Sequence, residues 1–400
     1  MTIDTFFQTH AYLIEHLRTT VRRSLMDTID WNYRMICIRG PRGVGRTSFL
    51  MQYAKEYFDP QLHQCLLVSM NNFYFHGRGL VDFAGEYAAR GGQVLLVDQA
   101  FKLPEWKDQL VEIYHKYPYL RVVYSTTSVH PITPEGGEEH ELDRITRNYV
   151  LHGFSFREYI NQQKGCELGT YTLAEILGDH ERIQKVILSR VRPFDHFRNY
   201  LHHGYYPFYL ENRNFMEALL KAMNNMIEVD VLLNKQVELK YLSRLKRLFY
   251  LLAAAGEDNT PNVSRLAEEI GTSRATVMNY LEYLQEARLI NMIYRDAGGT
   301  SPKKPAAVYL HDTNLLYGIQ APGITEQNVM ETFFTNVLWR HHDITKGKRQ
   351  GLYKIDGTTD ILVCDKARRS KDFPNLYYVK YNTEVTRGND IPIWLFGFLY

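Results

Sequence analysis

The sequence contains few cysteines, no long apolar run and almost no net charge. Its four cysteines, Cys37, Cys65, Cys166 and Cys364, are far apart and form no C-x-x-C pair. This argues against a structural zinc site or a disulfide framework and favours a reducing compartment. No apolar stretch approaches the ~20 residues of a membrane span, and the first ten residues lack the basic and apolar regions of a secretory signal. We therefore expect a cytoplasmic protein with no membrane partner.

The small net charge also limits the classes of partner. A formal charge of +2 over 400 residues excludes a chain that is basic as a whole, so nucleic-acid binding would need a local patch. Apolar residues make up 45% of the chain, which is enough for hydrophobic cores, and the length predicts two or three domains.

Short apolar runs alternate with helical patterns from about residue 35. Continuous runs of this kind are typical of strands buried on both faces of a parallel sheet. The predicted strands are MICIR (35–39), CLLVSM (65–70), VLLVD (94–98), LRVVYS (120–125) and NYVLHGF (148–154). We therefore predict an α/β core over residues 1–155. Residues 156–235 have helical patterns with short breaks and are predicted to form a helical lid.

A phosphate-binding loop follows the first predicted strand. GPRGVGRTS (40–48) has the spacing G-x-x-x-x-G-K-[ST], except that Arg46 replaces the lysine. In such a loop, backbone N–H groups and a helix N-terminus hold phosphates. Thr47 is placed to bind Mg²⁺, and Asp98 ends a buried strand as the metal carboxylate does in P-loop ATPases. The predicted ligands of ATP and Mg²⁺ are Gly40, Pro41, Gly43, Val44, Gly45, Arg46, Thr47, Ser48 and Asp98, of which Thr47 and Asp98 would hold the metal.

A different pattern begins near residue 236. Three helical segments precede an apparent hairpin, an order that predicts a winged helix over 236–312. In the third helix, Val277, Leu281 and Leu284 fall on one face, which we expect to be the core face. Arg274, Asn279, Tyr280 and Tyr283 are expected to point elsewhere.

The winged-helix pattern has two interpretations. As a DNA-binding module it would use residues of the third helix and of the wing. These candidates are Arg274, Thr276, Asn279, Tyr280, Lys303 and Lys304. The acidic pair Glu268 and Glu269 and the nearly neutral chain favour internal packing or a protein partner instead, because phosphate-dominated binding requires a strong basic surface.

Several stretches together resemble one known family. They are GPRGVGRTSFLMQYAKEY, VLLVDQAFKLPEWKDQL, LRVVYSTTS, HGFSFREYI, YLHHGYYPFYL, RLAEEIGTSRATVMNYLEYLQEARLI, AAVYLHDTNLLYGI and IPIWLFGFLY. The family is the prokaryotic AAA-like P-loop ATPases with a C-terminal winged helix and a degenerate restriction-endonuclease-like domain. The resemblance extends from about residue 30 to the end. It implies an α+β nuclease-like domain over 313–400.

The departures from this family cluster at the ATPase chemistry. The loop lysine is Arg46, the catalytic glutamate is Gln99, and an aspartate that often follows the second strand is Asn71. The polar tip of the fourth strand has the sequence STT (125–127). Arg144 matches a family arginine that would touch a phosphate, although a solvated surface arginine is equally consistent with the sequence.

The nuclease-like domain also departs from the pattern that the resemblance implies. Glu331, Asp360 and Lys380 match an endonuclease's acids and lysine, but Tyr378 stands where a middle acid is required. A phenol is a poor substitute for a carboxylate ligand of a hard cation. Ordinary surface charges on a structural domain are therefore the simpler interpretation of Glu331 and Lys380.

The resulting hypothesis is an AAA-like ATP-binding protein with impaired or absent hydrolysis, acting as a nucleotide-dependent conformational module. One alternative is a slow but genuine ATPase in which Arg46 replaces the lysine and Gln99 positions water. A second alternative is a winged-helix DNA-binding regulator in which the P-loop core serves as a scaffold.

Overall fold

The computed structural model describes residues 2–18, 21–129, 139–211, 214–255, 259–296, 304–366 and 376–400. The chain divides into two compact units, Met1–His152 and Gly153–Tyr400. None of the helices in these described ranges combines the length and the apolar character that a bilayer span requires.

A parallel sheet forms the centre of the first unit. Its strands are β1 (Met35–Arg39), β2 (Cys65–Ser69), β3 (Val94–Asp98), β4 (Arg121–Thr126) and β5 (Arg147–Val150). Their order is β2-β3-β4-β1-β5, with every neighbouring pair parallel. The five predicted strands are confirmed. The expectation of burial on both faces is wrong for the fifth, because β5 lies at the sheet edge and is partly exposed.

Helices cover this sheet. They are α1 (Ile3–His16), α2 (Leu25–Thr28), α3 (Arg46–Tyr57), α4 (Tyr74–Gly77), α5 (Leu80–Ala89), α6 (Trp106–Lys116) and α7 (Glu141–Ile145). The sequence reasoning did not predict α1, yet Phe6 and Phe7 of this helix join the same buried cluster as Leu66 and Val68 of β2. The first helix is therefore part of the core of the unit.

An unpaired strand edge explains one buried polar residue of α1. β2 pairs only with β3 within the described sheet, so its other edge carries backbone groups that need partners. The N–H of Leu67 donates to Nδ1 of His10, at 3.1 Å. His10 is buried, and this burial, assisted by the nearby His63, lowers the pKa of His10 to about 4. The neutral ring is thus the form that accepts the edge hydrogen bond.

The helices of the second unit lie before and between its strands. They are α8 (Phe156–Lys164), α9 (Leu173–Leu188), α10 (Phe194–Asn199), α11 (Phe215–Asn225), α12 (Leu232–Asn234), α13 (Leu242–Ala253), α14 (Val263–Ile270), α15 (Arg274–Glu286), α16 (Thr313–Ile319) and α17 (Glu326–Leu338). Ser155 with Glu158 and Thr172 with Glu175 form capping boxes that fix where α8 and α9 begin.

This unit also contains two groups of strands. β6 (Ile290–Ile293) and β7 (Ala307–Leu310) pair antiparallel, as the hairpin pattern predicts. A second sheet contains β8 (Ile344–Lys346), β9 (Leu352–Ile355), β10 (Thr359–Cys364), β11 (Tyr377–Lys380) and β12 (Asp390–Pro392) in the order β12-β11-β10-β9-β8. The sequence reasoning missed the three-residue strands β8 and β12 and the short helix α16. The apolar segment Ile393–Phe398 is fully buried in the core.

The contact between His10 and β2 predicts a pH-dependent stability. A folded-state pKa of about 4 against 6.5 when unfolded means that the unfolded chain binds more protons between these values. The stability contributed by the neutral, buried His10 is therefore present above pH 6.5 and is lost as the pH falls toward 4. It amounts to about 3 kcal/mol.

His10→Gln keeps an acceptor but removes the titrating ring, so urea unfolding curves of this variant should lack that part of the pH dependence. His16→Gln, which changes an exposed histidine of the same helix, should behave like the natural chain. Identical pH profiles for His10→Gln and the natural chain would contradict this account of the edge contact.

Candidate nucleotide site

The loop between β1 and α3 needs glycine at three positions for steric reasons. Gly43 has φ of 86° and Gly45 has φ of 89°, left-handed conformations that side chains other than glycine adopt at a cost. A Cβ atom on Gly40 would lie 2.3 Å from the carbonyl oxygen of Leu151. Gly45 is also the N-cap of α3. The loop therefore ends at a helix N-terminus, where backbone N–H groups bind anions favourably.

Asp98 connects three elements at the carboxyl end of the sheet. It ends β3 and is 1% exposed. Thr47 Oγ1, in the first turn of α3, donates to Asp98 Oδ2 at 2.9 Å. Ser125 Oγ, near the end of β4, donates to Asp98 Oδ1 at 2.6 Å. Both carboxylate oxygens are thus fixed, and the two predicted metal ligands lie side by side.

Gln99 follows directly, in a strained backbone conformation. Its φ is 57°, which is uncommon for a residue other than glycine. Its N–H donates to Ser125 Oγ at 2.8 Å, and its side-chain Nε2 lies 3.4 Å from Asp98 Oδ2. An amide can orient a water molecule but cannot accept its proton. Ser125 therefore organises both Asp98 and Gln99, a role that sequence reasoning did not assign to it.

Arg46 reaches across the loop to the neighbouring strand. Its Nη1 donates to the carbonyl oxygen of Thr126, the last residue of β4. The hydroxyls of Thr126 and Thr127 are buried there without a hydrogen-bond partner in the described residues. Unsatisfied buried hydroxyls beside a cationic side chain indicate a polar site, because buried polar groups normally have partners.

The remaining predicted ligands lie in different environments. Pro41 and Val44 are buried and Ser48 is exposed in the first turn of α3. Arg144 is exposed on α7, where its neighbour Asp143 accepts a hydrogen bond from Lys107 at 3.1 Å. A contact of Arg144 with phosphate stays a prediction.

The donor atoms at this site fit Mg²⁺. A hydroxyl and a carboxylate are hard oxygen donors, and Mg²⁺ is usually held by one or two such protein groups together with phosphates and water. The described residues contain no group of three or more His, Cys, Asp or Glu side chains that could hold a metal by themselves. A metal shared with bound phosphates is the kind that Thr47 and Asp98 could support.

The predicted DNA contacts are only partly exposed. Arg274 and Asn279 are exposed on α15 and Lys304 is exposed before β7, whereas Lys303 lies outside the described residues. The hydroxyl of Thr276 lies 2.9 Å from Ser273 Oγ at the start of the helix.

The prediction that Tyr280 points away from the core is wrong, since it is 5% exposed. Position 280 lies one turn from Val277 and Leu284 and belongs to the same apolar face, which is wider than the sequence reasoning assumed.

Glu331 is buried in the second unit, so its interpretation as a surface charge is also wrong. It is 1% exposed, and its Oε2 accepts from Lys346 Nζ at 2.9 Å and from Tyr353 Oη at 2.6 Å. Burial would raise the pKa of Glu331, but the attraction of Lys346 and hydrogen bonds from Gln327 and the two tyrosines Tyr309 and Tyr353 outweigh it, so the pKa lies below its usual range. The glutamate is a charged partner in a buried ion pair.

Asp360 and Lys380 have separate partners. Asp360 pairs with Lys354 at 3.3 Å, and Lys380 Nζ donates to the carbonyl oxygen of Asp365 at 3.2 Å. Glu331, whose carboxylate is engaged by Lys346, likewise has a partner within the protein.

The double contact of Ser125 gives a stability prediction. Ser125→Ala leaves one oxygen of Asp98 and the N–H of Gln99 without their buried partner, which should destabilise the chain by about 1–3 kcal/mol. Urea unfolding measures this loss. Thr28→Ala, which removes an exposed hydroxyl, is the control and should change the unfolding free energy by less than about 0.5 kcal/mol. Equal unfolding free energies for the two variants would show that Ser125 does not hold the site together.

Comparison with known proteins agrees with the geometry of the first unit. Residues 32–160 match a family described as an AAA domain, and residues 194–321 match a domain of unknown function, DUF8612. A search of curated proteins found no match to the chain.

Solved structures with distant similarity include a DnaA protein and an Orc1 protein. AMPPCP-bound DnaA from Aquifex aeolicus is 14% identical, with 70% of this chain and 86% of that chain covered and a TM-score of 0.28. The Orc1 protein of Aeropyrum pernix in complex with DNA is 12% identical, with coverage of 78% and 90% and a TM-score of 0.31.

The AAA match spans β1, the glycine loop, Asp98 and the end of β4. Together with the five-stranded parallel sheet, it shows that residues 32–160 have the fold of an AAA-type P-loop ATPase domain.

Proposed function

We propose that this chain binds ATP with Mg²⁺ at the loop 40–48 and Asp98 and hydrolyses it very slowly or not at all. Nucleotide binding would then act as a conformational signal. The observation that carries the proposal is the end of β3, where an intact metal carboxylate, Asp98, is followed by the amide of Gln99 in the place of a general base.

The loop and its partners support binding. Gly43 and Gly45 have the backbone conformation that turns N–H groups toward a phosphate. Thr47 and Asp98 lie 2.9 Å apart and would hold Mg²⁺, which neutralises phosphate charge when bound. Arg46 adds a permanent positive charge beside the loop, and guanidinium groups pair well with phosphate oxygens.

Two substitutions support impaired hydrolysis. Without a group that can accept a proton at position 99, activation of water loses about 10²–10⁴ in rate. Arg46 carries a planar fork of donors instead of a compact ammonium, and one of these donors already bonds to the carbonyl of Thr126. Arg46 would keep a positive charge near the phosphates. It would not keep the geometry of the lysine that P-loop catalysis uses.

The domain assignments complete the proposal. We interpret 156–235 as a lid, 236–312 as a winged helix and 313–400 as a nuclease-like domain without nuclease chemistry. ATP can shift the conformation of such a chain only if it binds the two states with different affinity. For a DNA-binding role through α15, Arg274 and Asn279 remain candidate contacts, but Tyr280 does not, because it is buried. ATP binding is therefore the better supported function.

Removing the proposed metal ligand tests binding. Thr47→Ala should reduce the affinity for ATP in the presence of Mg²⁺ by about tenfold, because a charge-assisted contact is lost, and should change the affinity without Mg²⁺ far less. Isothermal titration calorimetry measures both. Thr9→Ala removes an exposed hydroxyl of α1 and should leave both affinities unchanged. An unchanged Mg²⁺ effect in Thr47→Ala would overturn the assignment, and absence of ATP binding by the natural chain at millimolar concentration would overturn the function.

Restoring the catalytic residue types tests the impairment. Arg46→Lys combined with Gln99→Glu should raise phosphate release by about 10² or more, because a general base and the compact cation return together. Gln93→Glu, at an exposed position before β3, introduces the same charge and should have no effect.

The slow-ATPase alternative predicts a different pattern. The natural chain would then release phosphate at a measurable rate, and Gln99→Ala would abolish it. Rapid release by the natural chain would contradict the proposed impairment.

A further inference from the structure

The second unit contains an open pocket, and of its lining residues only Lys346 takes part in the interactions described above. Its volume is about 370 Å³, within the range of small-molecule sites. It lies where β6 ends, where β7 begins and where β8 turns into β9. The side chains that concern its chemistry are Asn259, Thr260, Arg295, Lys346, Lys348 and Arg349. We call this cavity the basic pocket.

Cations dominate the wall of the basic pocket. Four of its lining residues are arginine or lysine, and among the residues that the structure describes no aspartate or glutamate lines it. Asp296, the acid next to Arg295 in sequence, does not line it. Positive charges that lie close together repel one another, and a bound anion reduces this repulsion. This composition therefore favours an anionic ligand.

Lys346 has a structural role in the wall. Its Nζ donates to Glu331 Oε2 at 2.9 Å, to Tyr309 Oη at 2.7 Å and to Tyr353 Oη at 3.1 Å. An ammonium group has three donors, so this lysine is saturated, and its charge is balanced by Glu331. It fixes one side of the pocket to the buried core.

The charge available to a ligand comes from the other three cations. Arg295, Lys348 and Arg349 are exposed, and within the described parts of the chain no carboxylate forms an ion pair with any of them. They lie on two different segments, after β6 and between β8 and β9, so positive charge reaches the cavity from both segments.

The polar residues of the pocket complement this charge. Asn259 is 8% exposed, and its Oδ1 accepts from Asn328 Nδ2 of α17 at 2.8 Å, which holds the amide in place. Thr260 adds a hydroxyl at the exposed side. Guanidinium, ammonium, amide and hydroxyl donors together suit a phosphate group, whose oxygens accept several hydrogen bonds.

We propose that the basic pocket binds a phosphate group, supplied either by a free mononucleotide or by the backbone of a single-stranded nucleic acid. The basic pocket shares no lining residue with the loop 40–48, and this proposal does not rest on the proposed ATP binding.

The experiment compares three forms of the full chain. The pocket variant carries Arg295→Ala, Lys348→Ala and Arg349→Ala. The control variant carries Lys185→Ala, Arg192→Ala and Lys221→Ala, which removes three exposed cations of the same unit. The probes are AMP, adenosine as the analogue without phosphate, and a fluorescent ten-nucleotide single strand. Calorimetry and fluorescence anisotropy give their affinities.

The natural chain and the control variant should bind AMP or the single strand with affinities within about twofold of each other, and the pocket variant about tenfold or more weakly. Adenosine should bind none of them measurably. A loss confined to AMP assigns a free phosphate monoester, and a loss confined to the strand assigns a backbone phosphate. Equal affinities for all three proteins, or no binding of either probe, would overturn the proposal.

Thr47→Ala separates this site from the loop. It should leave binding at the basic pocket unchanged even if it weakens ATP binding. If Thr47→Ala and the pocket variant weakened AMP equally, the loop and not the basic pocket would be the site.

Discussion

The candidate site depends on the hydrogen bonds that hold the carboxylate of Asp98. Its two oxygens accept hydrogen bonds from Thr47 and Ser125, so one buried charge connects the start of α3 with the ends of β3 and β4. Removing a buried carboxylate from water is costly unless it is hydrogen-bonded. The same contacts that satisfy Asp98 also place Thr47 beside it, where a metal ion could be shared with phosphates.

Around this intact centre, the two altered residues act in the same direction. Gln99 has the location of a water-activating group but not its basicity, and Arg46 keeps a positive charge while one of its donors bonds to Thr126. Binding depends on charge and on backbone N–H groups, whereas turnover depends on proton transfer and close geometry. Under the proposed function, a site of this composition would retain what affinity requires and lose what catalysis requires.

The sheet and the glycine loop of the first unit were predicted well because their sequence signals lie within short stretches of the chain. The glycine loop, the buried strands and the position of Asp98 follow from the order of residue types along the chain. The errors arose where tertiary contacts decide. The first helix was not predicted, and its His10 is buried because an edge strand needs a partner. Glu331 is buried because Lys346 compensates it. Tyr280 is buried because the apolar face of α15 is wider than three positions indicate.

The state of the bound nucleotide tests the central claim most directly. The natural chain would be incubated for hours with labelled ATP and Mg²⁺, separated from free nucleotide, and the bound label identified by chromatography. The account predicts bound ATP with little or no phosphate released. Bound ADP with equivalent phosphate would show a working ATPase, and recovery of protein without nucleotide would show that the loop 40–48 no longer binds it.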